Sequence, residues 1–522
     1  MESQEPSQQD MREAARAMSE RFGVALEPGA PPRPDDISLP EPRVKPPDSL
    51  SGICRTDTYE RAFHTYGHSY RDRTRKFNGE FHNPPDIVAY PGEESELSAL
   101  LDWCSSNGYA AIPFGGGSTV VGGVEAPQGY DGVVTIDMGR MGRVLEVDPV
   151  SRAARIEGGA FGPALEEQLR PHGLTLRHFP QSFEYSTLGG WIATRSGGHY
   201  ATNHTHIDDF VESVRMITPS GEWESFRLPG SGAGPSPDRF ALGSEGILGV
   251  VTSAWVRVQA RPKYRASAGI FFPSLESAAE AARGIAQAKL WPANCRVLDP
   301  GEGAAMAGMS GNEALLIVGF ESADVPQDDF MREAVQIARD AGGSVDDEDL
   351  MLSGGATEQP GRQGAVGTWR NAFIRMPYDW NTVVGLGLIN DTFETSITWD
   401  RWPEFDRAVR AATQDALERV CGGGTVTCRF THVYPDGPAP YYTFTGVGRR
   451  GSELEMWAEV KQAASDALIA NGGTITHHHS VGRDHRPRYD RQRPEQFARA
   501  LRAAKRVVDP SGVLNPGVLI DP

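Results

Sequence analysis

Cysteine is scarce and scattered. The 522 residues hold five, at Cys54, Cys104, Cys295, Cys421 and Cys428, with no C-x-x-C pair among them. That spacing excludes a disulfide scaffold and a zinc knuckle, and it suits a reducing compartment. Long apolar runs are missing too: no stretch approaches the roughly 18 uninterrupted apolar residues of a spanning helix. Net positive charge is absent. With 51 Lys+Arg against 69 Asp+Glu the formal charge is −18, which disfavours nucleic acid as a partner. The opening segment, MESQEPSQQDMREAARAMSERFG, lacks the basic start and apolar centre of a secretory signal, and the closing VLIDP is not a peroxisomal address, so a cytoplasmic location is expected. No period of 20–50 residues recurs, which excludes a solenoid.

What is present reads as an ordinary globular chain with many turns. Hydrophobic residues make up 39% and charged residues 23%, with 59 Gly and 38 Pro. The length corresponds to about three domains' worth of chain. Residues 1–80 read as a helical and extended arm: 11–22 has amphipathic spacing and 27–49 is rich in Pro. PDIVAYP (85–91) reads as a strand. ESELSALLDWCSSNG (94–108) reads as a helix, with Leu97, Leu100, Leu101 and Cys104 on one face and Gly108 as the stop. YAAIPF (109–114) is a second strand leading into glycines. Further strands are expected at 132–137, 153–159, 250–258 and 314–320. Helices are expected at 163–173, 275–288, 328–343, 403–423, 453–473 and 494–510. Boundaries fall near 80, 262 and 470.

Three glycine-bearing segments stand out. The first is Pro113-Phe114-Gly115-Gly116-Gly117-Ser118-Thr119. Glycines permit positive φ and close backbone approach, and successive N–H groups can form a nest for a diphosphate. The segment is neither G-x-G-x-x-G nor G-x-x-x-x-G-K-[ST], so a Walker-type site is not expected. A tight structural loop is the competing reading. The second is Gln181-Ser182-Phe183-Glu184-Tyr185-Ser186-Thr187, continuing through Gly189, Gly190, Thr194, Arg195, Ser196 and Gly197. It lacks a strand or helix period and reads as a loop wrapping a cofactor. The third is Glu245-Gly246-Ile247-Leu248-Gly249-Val250-Val251, which feeds a strand.

In this order the three segments resemble the FAD-binding domain of the vanillyl-alcohol-oxidase-type flavoproteins. The fold this implies is α+β: a PCMH-type FAD-binding domain (81–262), a cap domain (263–470) and a C-terminal segment (471–522) returning to the flavin. No histidine adjoins the glycine loop in sequence, so non-covalent FAD is expected. The later segments FETSITWDR (393–401), TCRFTHVY (427–434), PYYTF (440–444), ANGGTITHHHSVG (470–482) and DPSGVLNP (509–516) resemble the alkyldihydroxyacetonephosphate synthase family. That resemblance implies exchange of the acyl group of acyl-dihydroxyacetone phosphate for a fatty alcohol, through a flavin N5 adduct and without net redox change. An FAD-linked 2-hydroxyacid dehydrogenase of the D-lactate type is the alternative.

The resemblance also implies roles. Arg429 matches a substrate-binding arginine, suited to phosphate because a guanidinium offers fixed charge and paired donors. Tyr441 matches a general acid/base, beside Tyr442 as a rival. His477, His478 and His479, in a strand-like context, would place His477 and His479 on one face; they would orient substrate oxygens. No carboxylate motif accompanies them, so no metal is assigned. Arg375 matches an arginine needed for activity. Gln181 stands where relatives carry Asp, and Arg483 where they carry Lys. The segment 344–370 is short and glycine-rich compared with relatives. The resemblance further implies a homodimer, and the amphiphilic substrates imply peripheral membrane contact.

Overall fold

The computed structural model describes residues 6–198, 200, 202–309, 311–346, 349–352, 367–368, 371–372 and 379–521. It divides into two compact units. One comprises residues 31–197, 206–259 and 478–522; the other comprises 1–30, 198–205 and 260–477. The arm expected over 1–80 is thus shared between them.

In the first unit, three short strands lie parallel: Ile87–Ala89 and Ala110–Phe114 both pair with Val133–Asp137 between them. Cys54–Arg55 adds an antiparallel edge on Ile87–Ala89. The helix Glu94–Asn107 supplies the crossover. Its Leu97, Leu100, Leu101 and Cys104 are fully buried against Ile87, Ala89, Val134 and Ile136, the stripe its spacing predicts. Gly108 ends it with φ +67°, a conformation that costs glycine little. A second, antiparallel sheet runs in the order Val144–Asp148, Ala153–Glu157, Val250–Arg257, Val211–Thr218, Gly221–Glu224.

The second unit is built on a seven-stranded antiparallel sheet. Its order is Leu350–Met351, Tyr264–Phe272, Ala314–Ser322, Asn294–Leu298, Thr425–Val433, Pro438–Val447, Leu388–Glu394. Helices Leu275–Gln287, Asp328–Asp340, Trp402–Cys421 and Glu453–Ala470 pack on it. The helix Gln8–Phe22 belongs to this unit. It sets Met11, Ala14, Ala15, Met18 and Phe22 against Leu386, Leu388 and Val447, where the last strand of the sheet would otherwise be open.

Two readings of the sequence are corrected. The segment 181–197 is not wholly loop: Leu188–Thr194 forms a short helix, capped by the Thr187 hydroxyl and closed by Arg195 at φ 53°. The His477–His479 run is not strand-like but a series of bends, followed by Ser480 at φ 68°. The alternating placement expected of a strand therefore does not apply.

The DPSGVLNP segment is fixed by one buried charge pair. Lys505 Nζ donates to Asp509 Oδ2 (2.7 Å), the Leu514 carbonyl (2.8 Å) and the Ile247 carbonyl (3.0 Å). Asp509 in turn accepts from the Val513 and Leu514 peptides. Removing one partner of a buried pair leaves the other charge uncompensated. Lys505→Met is therefore expected to lower the unfolding free energy by about 3–5 kcal/mol, and adding Asp509→Asn should recover part of it. Denaturant midpoints check this; a loss below about 1 kcal/mol would contradict it.

Candidate functional site

The glycine segments meet inside the first unit because side chains are missing where they cross. A Cβ on Gly116 would lie 1.8 Å from the Tyr185 carbonyl oxygen, and one on Gly115 would lie 2.3 Å from Thr187 Oγ1. Gly246 (φ 79°) sits against Pro113, and Gly189 crosses the backbone of Gly158. The Gly189 amide donates to the Gly158 carbonyl at 2.7 Å. Gly243 and Glu245 donate their amides to the Ile192 and Ala193 carbonyls, which ties the third segment to the second.

The polar groups around these turns suit an anionic cofactor. The surfaces left at Gly115, Gly116, Ser118, Thr119, Gly189 and Gly190 are half-buried and made of peptide and hydroxyl groups. Glu245 is buried but does not oppose a diphosphate. Its carboxylate accepts from the Val481 and Gly482 amides at 2.9 and 2.7 Å. Burial pushes its pKa up to about 7 against the pull of those two amides. The same contacts anchor the chain just after the histidine run. Asn515 of the C-terminal motif donates to the Glu245 and Gly123 carbonyls, completing the knot.

Other residues of these segments hold structure. Ser186 accepts from Trp191 Nε1 and donates to the Ser182 carbonyl. Ser196 pairs with His178, and Thr194 donates to the Gly190 carbonyl. Arg195 pairs with Asp208, and Glu184 is exposed. Ile247 and Leu248 are core, packed with Val481, Leu501 and Ile520; Val250 and Val251 begin a sheet strand. Phe114 packs on His64, and its ring fills the space a Gly117 side chain would need. Arg483 donates to the Glu125 and Pro516 carbonyls, so its guanidinium serves as a staple.

Two histidines adjoin the glycine loop in space although none does in sequence: His64, against Phe114, and His68. The His68 amide donates to the Thr119 carbonyl (2.7 Å), and its ring stacks on Tyr185 with centroids 5.4 Å apart. Burial, then the charges of Arg73 and Lys76, hold the imidazole well below its usual pKa, so it stays neutral.

In the second unit the C-terminal motifs form one row across the sheet. Glu394 is the direct cross-strand partner of Tyr441, and Tyr441 is the direct partner of Arg429. Directly opposed residues share a face, so FETS, PYYTF and TCRF present their side chains together. Tyr441 is 5% exposed, and its hydroxyl donates to Thr392 Oγ1 at 3.0 Å. Arg429 is 1% exposed, its guanidinium carbon lies 4.0 Å from the Tyr441 ring centroid, and Nη1 pairs with Glu302 at 2.5 Å. The clamp envisaged from sequence is thus a cation already paired with a carboxylate. Tyr442 points elsewhere, donating to Asp406 at 2.9 Å.

The FETSITWDR motif acquires a physical meaning here. Glu394 accepts from the Thr476 hydroxyl (2.6 Å) and the His477 amide (2.5 Å). Thr395 donates to the Thr474 carbonyl, and Arg401 donates to the Asn471 carbonyl. One end of the motif joins the Tyr441 row while its length clamps the residues that lead into the histidines. Two further residues were not singled out from sequence. The Tyr434 hydroxyl is 2.7 Å from His477 Nε2, and the His432 ring lies 4.9 Å from that of His477. His432 Nε2 donates to the Gly198 carbonyl at 3.0 Å. Both residues lie within TCRFTHVY, but only the fold brings them to His477. His478 and His479 belong to the first unit, their rings 4.7 Å apart. Arg375 and residues 353–366 of the short glycine-rich segment lie outside the described residues.

Comparison with known proteins matches residues 85–227 to the FAD binding domain family and 261–519 to the FAD linked oxidases, C-terminal domain. An alkyldihydroxyacetonephosphate synthase of Dictyostelium discoideum is 31% identical over 503 residues, covering 91% of this chain and 79% of the relative. The chain belongs to the alkyldihydroxyacetonephosphate synthase family. The synthase of Trypanosoma brucei brucei is 28% identical over 546 residues, 98% of this chain and 86% of that one. A solved alkyldihydroxyacetonephosphate synthase structure superposes with a TM-score of 0.79 at 26% identity, covering 96% of this chain and 92% of that one. A D-lactate dehydrogenase [cytochrome] of Arabidopsis thaliana is more distant, 25% identical over 91% of this chain and 79% of that one. FAD is accordingly the cofactor of this chain. No described helix is long and apolar enough to cross a membrane.

Gly116→Ala tests the convergence of the turns. Its Cβ would have to displace the Tyr185 carbonyl, and such overpacking costs about 1–3 kcal/mol. The variant is expected to purify with less flavin per polypeptide and a lower melting temperature than wild type. Unchanged flavin content and melting temperature would contradict the packing described.

Proposed function

We propose that this chain exchanges the acyl group of acyl-dihydroxyacetone phosphate for a fatty alcohol. The observation that carries the reading is the match to alkyldihydroxyacetonephosphate synthases, which runs through both units at higher identity than the match to the hydroxyacid enzyme. FAD, when bound, supplies an electron sink for the substrate carbon while one oxygen substituent leaves and another arrives. The chain's own residues supply proton handling and orientation.

Tyr441 is the acid/base of this reading. Burial pushes its phenol above the usual value; Arg429 and the Thr392 hydroxyl pull it down, and Glu394 and Asp391 push it up. The resting residue is therefore a neutral phenol able to give a proton, and the adjacent Arg429 cation favours the phenolate that forms when it does. His477, with Tyr434 on its Nε2, and His478 and His479 orient substrate oxygens. Arg429 acts on Tyr441 rather than as an open phosphate clamp, since Glu302 already occupies it. In this reading the flavin is held without a covalent bond, since no histidine adjoins the glycine loop in sequence. Dimer formation and peripheral membrane contact belong to the same proposal, the latter because the substrates are amphiphilic.

Tyr441→Phe removes the proton and keeps the ring over Arg429. It is expected to retain flavin and lose at least about 100-fold in exchange of labelled fatty alcohol, the usual scale of a lost general acid or base. The assay contains no electron acceptor. Wild-type exchange that requires an acceptor, or full turnover by Tyr441→Phe, would overturn this reading.

A further inference from the structure

Four charged groups, Arg429, Glu302, Asp299 and Arg410, meet in the second unit where the sequence pointed to only one. Arg429 is buried on the strand Thr425–Val433, and Glu302 is buried on the helix Pro300–Ala307. The helix is fixed to the strand by its N-cap. Asp299 accepts from the Glu302 amide and from the Cys428 amide, both at 2.7 Å. Arg410 pairs with Asp299 at 2.8 Å. Glu302 is thus held from behind, and its second oxygen accepts from the Thr427 hydroxyl at 2.9 Å. Its first oxygen faces Arg429. A guanidinium this deeply buried has little freedom once its end is fixed, and it lies flat enough on Tyr441 to place its carbon 4.0 Å from the ring centroid.

We propose that Glu302 is a positioning residue for the reaction, its carboxylate holding Arg429 against the Tyr441 ring so that the cation sets when that phenol gives up its proton. The proposal rests on Tyr441 being the acid/base described above. Among the described residues, other charged groups near this row include Glu394 and Asp391 on the strand Leu388–Glu394 and Arg296 on the strand Asn294–Leu298. Lys461, from the helix Glu453–Ala470, pairs with Asp391 at 2.9 Å and so tempers its effect. Of the three cations Arg429, Arg296 and Lys461, Arg429 lies on the ring, and Glu302 is its carboxylate partner. Glu302 also offsets part of the Arg429 charge, so its two effects on the phenol can be separated by substitution.

Glu302→Gln keeps an acceptor for Thr427 and removes the opposing charge. Arg429→Met combined with Glu302→Gln removes the cation without leaving a buried carboxylate unpaired, which guards against a fold defect. Tyr441 ionisation is read in the flavin-loaded proteins as tyrosinate difference absorbance against the same background carrying Tyr441→Phe. Alcohol exchange is measured across the same pH range. Glu302→Gln, whose amide oxygen can still hold the guanidinium, is expected to move the ionisation to lower pH, and Glu302→Ala, which releases Arg429 from the ring, is expected to move it to higher pH than Glu302→Gln. The double variant is expected to move it up by about 1–3 pH units, the scale of losing an adjacent opposite charge. The inflection of the exchange profile should move with each. Arg429→Lys, which keeps the charge, should lie closer to wild type than the double variant does. Ionisation that stays in place in folded, flavin-loaded variants overturns the proposal even if activity falls. Ionisation that moves while no variant, nor wild type, exchanges alcohol sustains the positioning role and overturns the exchange reaction instead.

Discussion

A charge taken out of water must be paired, and in this chain that requirement shapes the row around Arg429. Arg429 is almost completely buried on a central strand of the seven-stranded sheet. Glu302 neutralises it, Asp299 fixes Glu302, and the sheet register then places Tyr441 and Glu394 beside it. Burial disfavours the Arg429 charge, yet Glu302 and Tyr441 hold its pKa above the usual value, so it remains a cation throughout the working pH range. A fixed cation costs no reorganisation when charge develops on the neighbouring phenol, which is where preorganised sites gain most of their effect.

The flavin unit answers a different constraint with a similar economy. Its turns come together because glycine lets one backbone lie on another, at Gly116 on Tyr185 and at Gly189 on Gly158. What remains half-buried at these turns is peptide and hydroxyl. The one buried carboxylate of the third turn, Glu245, is turned onto the amides of Val481 and Gly482. The same residue thus anchors the chain after His478 and His479. Glu394 holds the His477 amide from the other unit's sheet. Each end of the histidine run is therefore fixed by a glutamate within its own unit.

Much of this was legible in the sequence, for reasons that can be named. The helix 94–108 declared itself through Leu97, Leu100, Leu101 and Cys104 at helical spacing and a closing glycine. The crossing turns declared themselves through glycine density, and the family through the resemblance of the C-terminal motifs to the synthases. Strand Val211–Thr218 went unread because Glu212 and Arg215 interrupt its apolar pattern; Arg215 is satisfied by Glu94, Glu222 and Glu224, partners remote or facing in the sheet. The helix Leu188–Thr194 was hidden by Gly189 and Gly190, poor helix formers retained where Gly189 crosses the Gly158 backbone. The histidine run suggested a strand, but its backbone is held by side chains instead of a neighbouring ladder. Glu302 carried no sequence signal at all: its place beside Arg429 comes from the packing of a short helix far away in the chain.

The most direct test of the account is the absorbance of the oxidised, flavin-loaded protein on adding acyl-dihydroxyacetone phosphate alone, without oxygen or any other acceptor. The account predicts that the flavin spectrum changes, that free fatty acid is released, and that fatty alcohol then restores the oxidised spectrum. A spectrum indifferent to this substrate but bleached by a 2-hydroxyacid, and restored only by an electron acceptor, would contradict it.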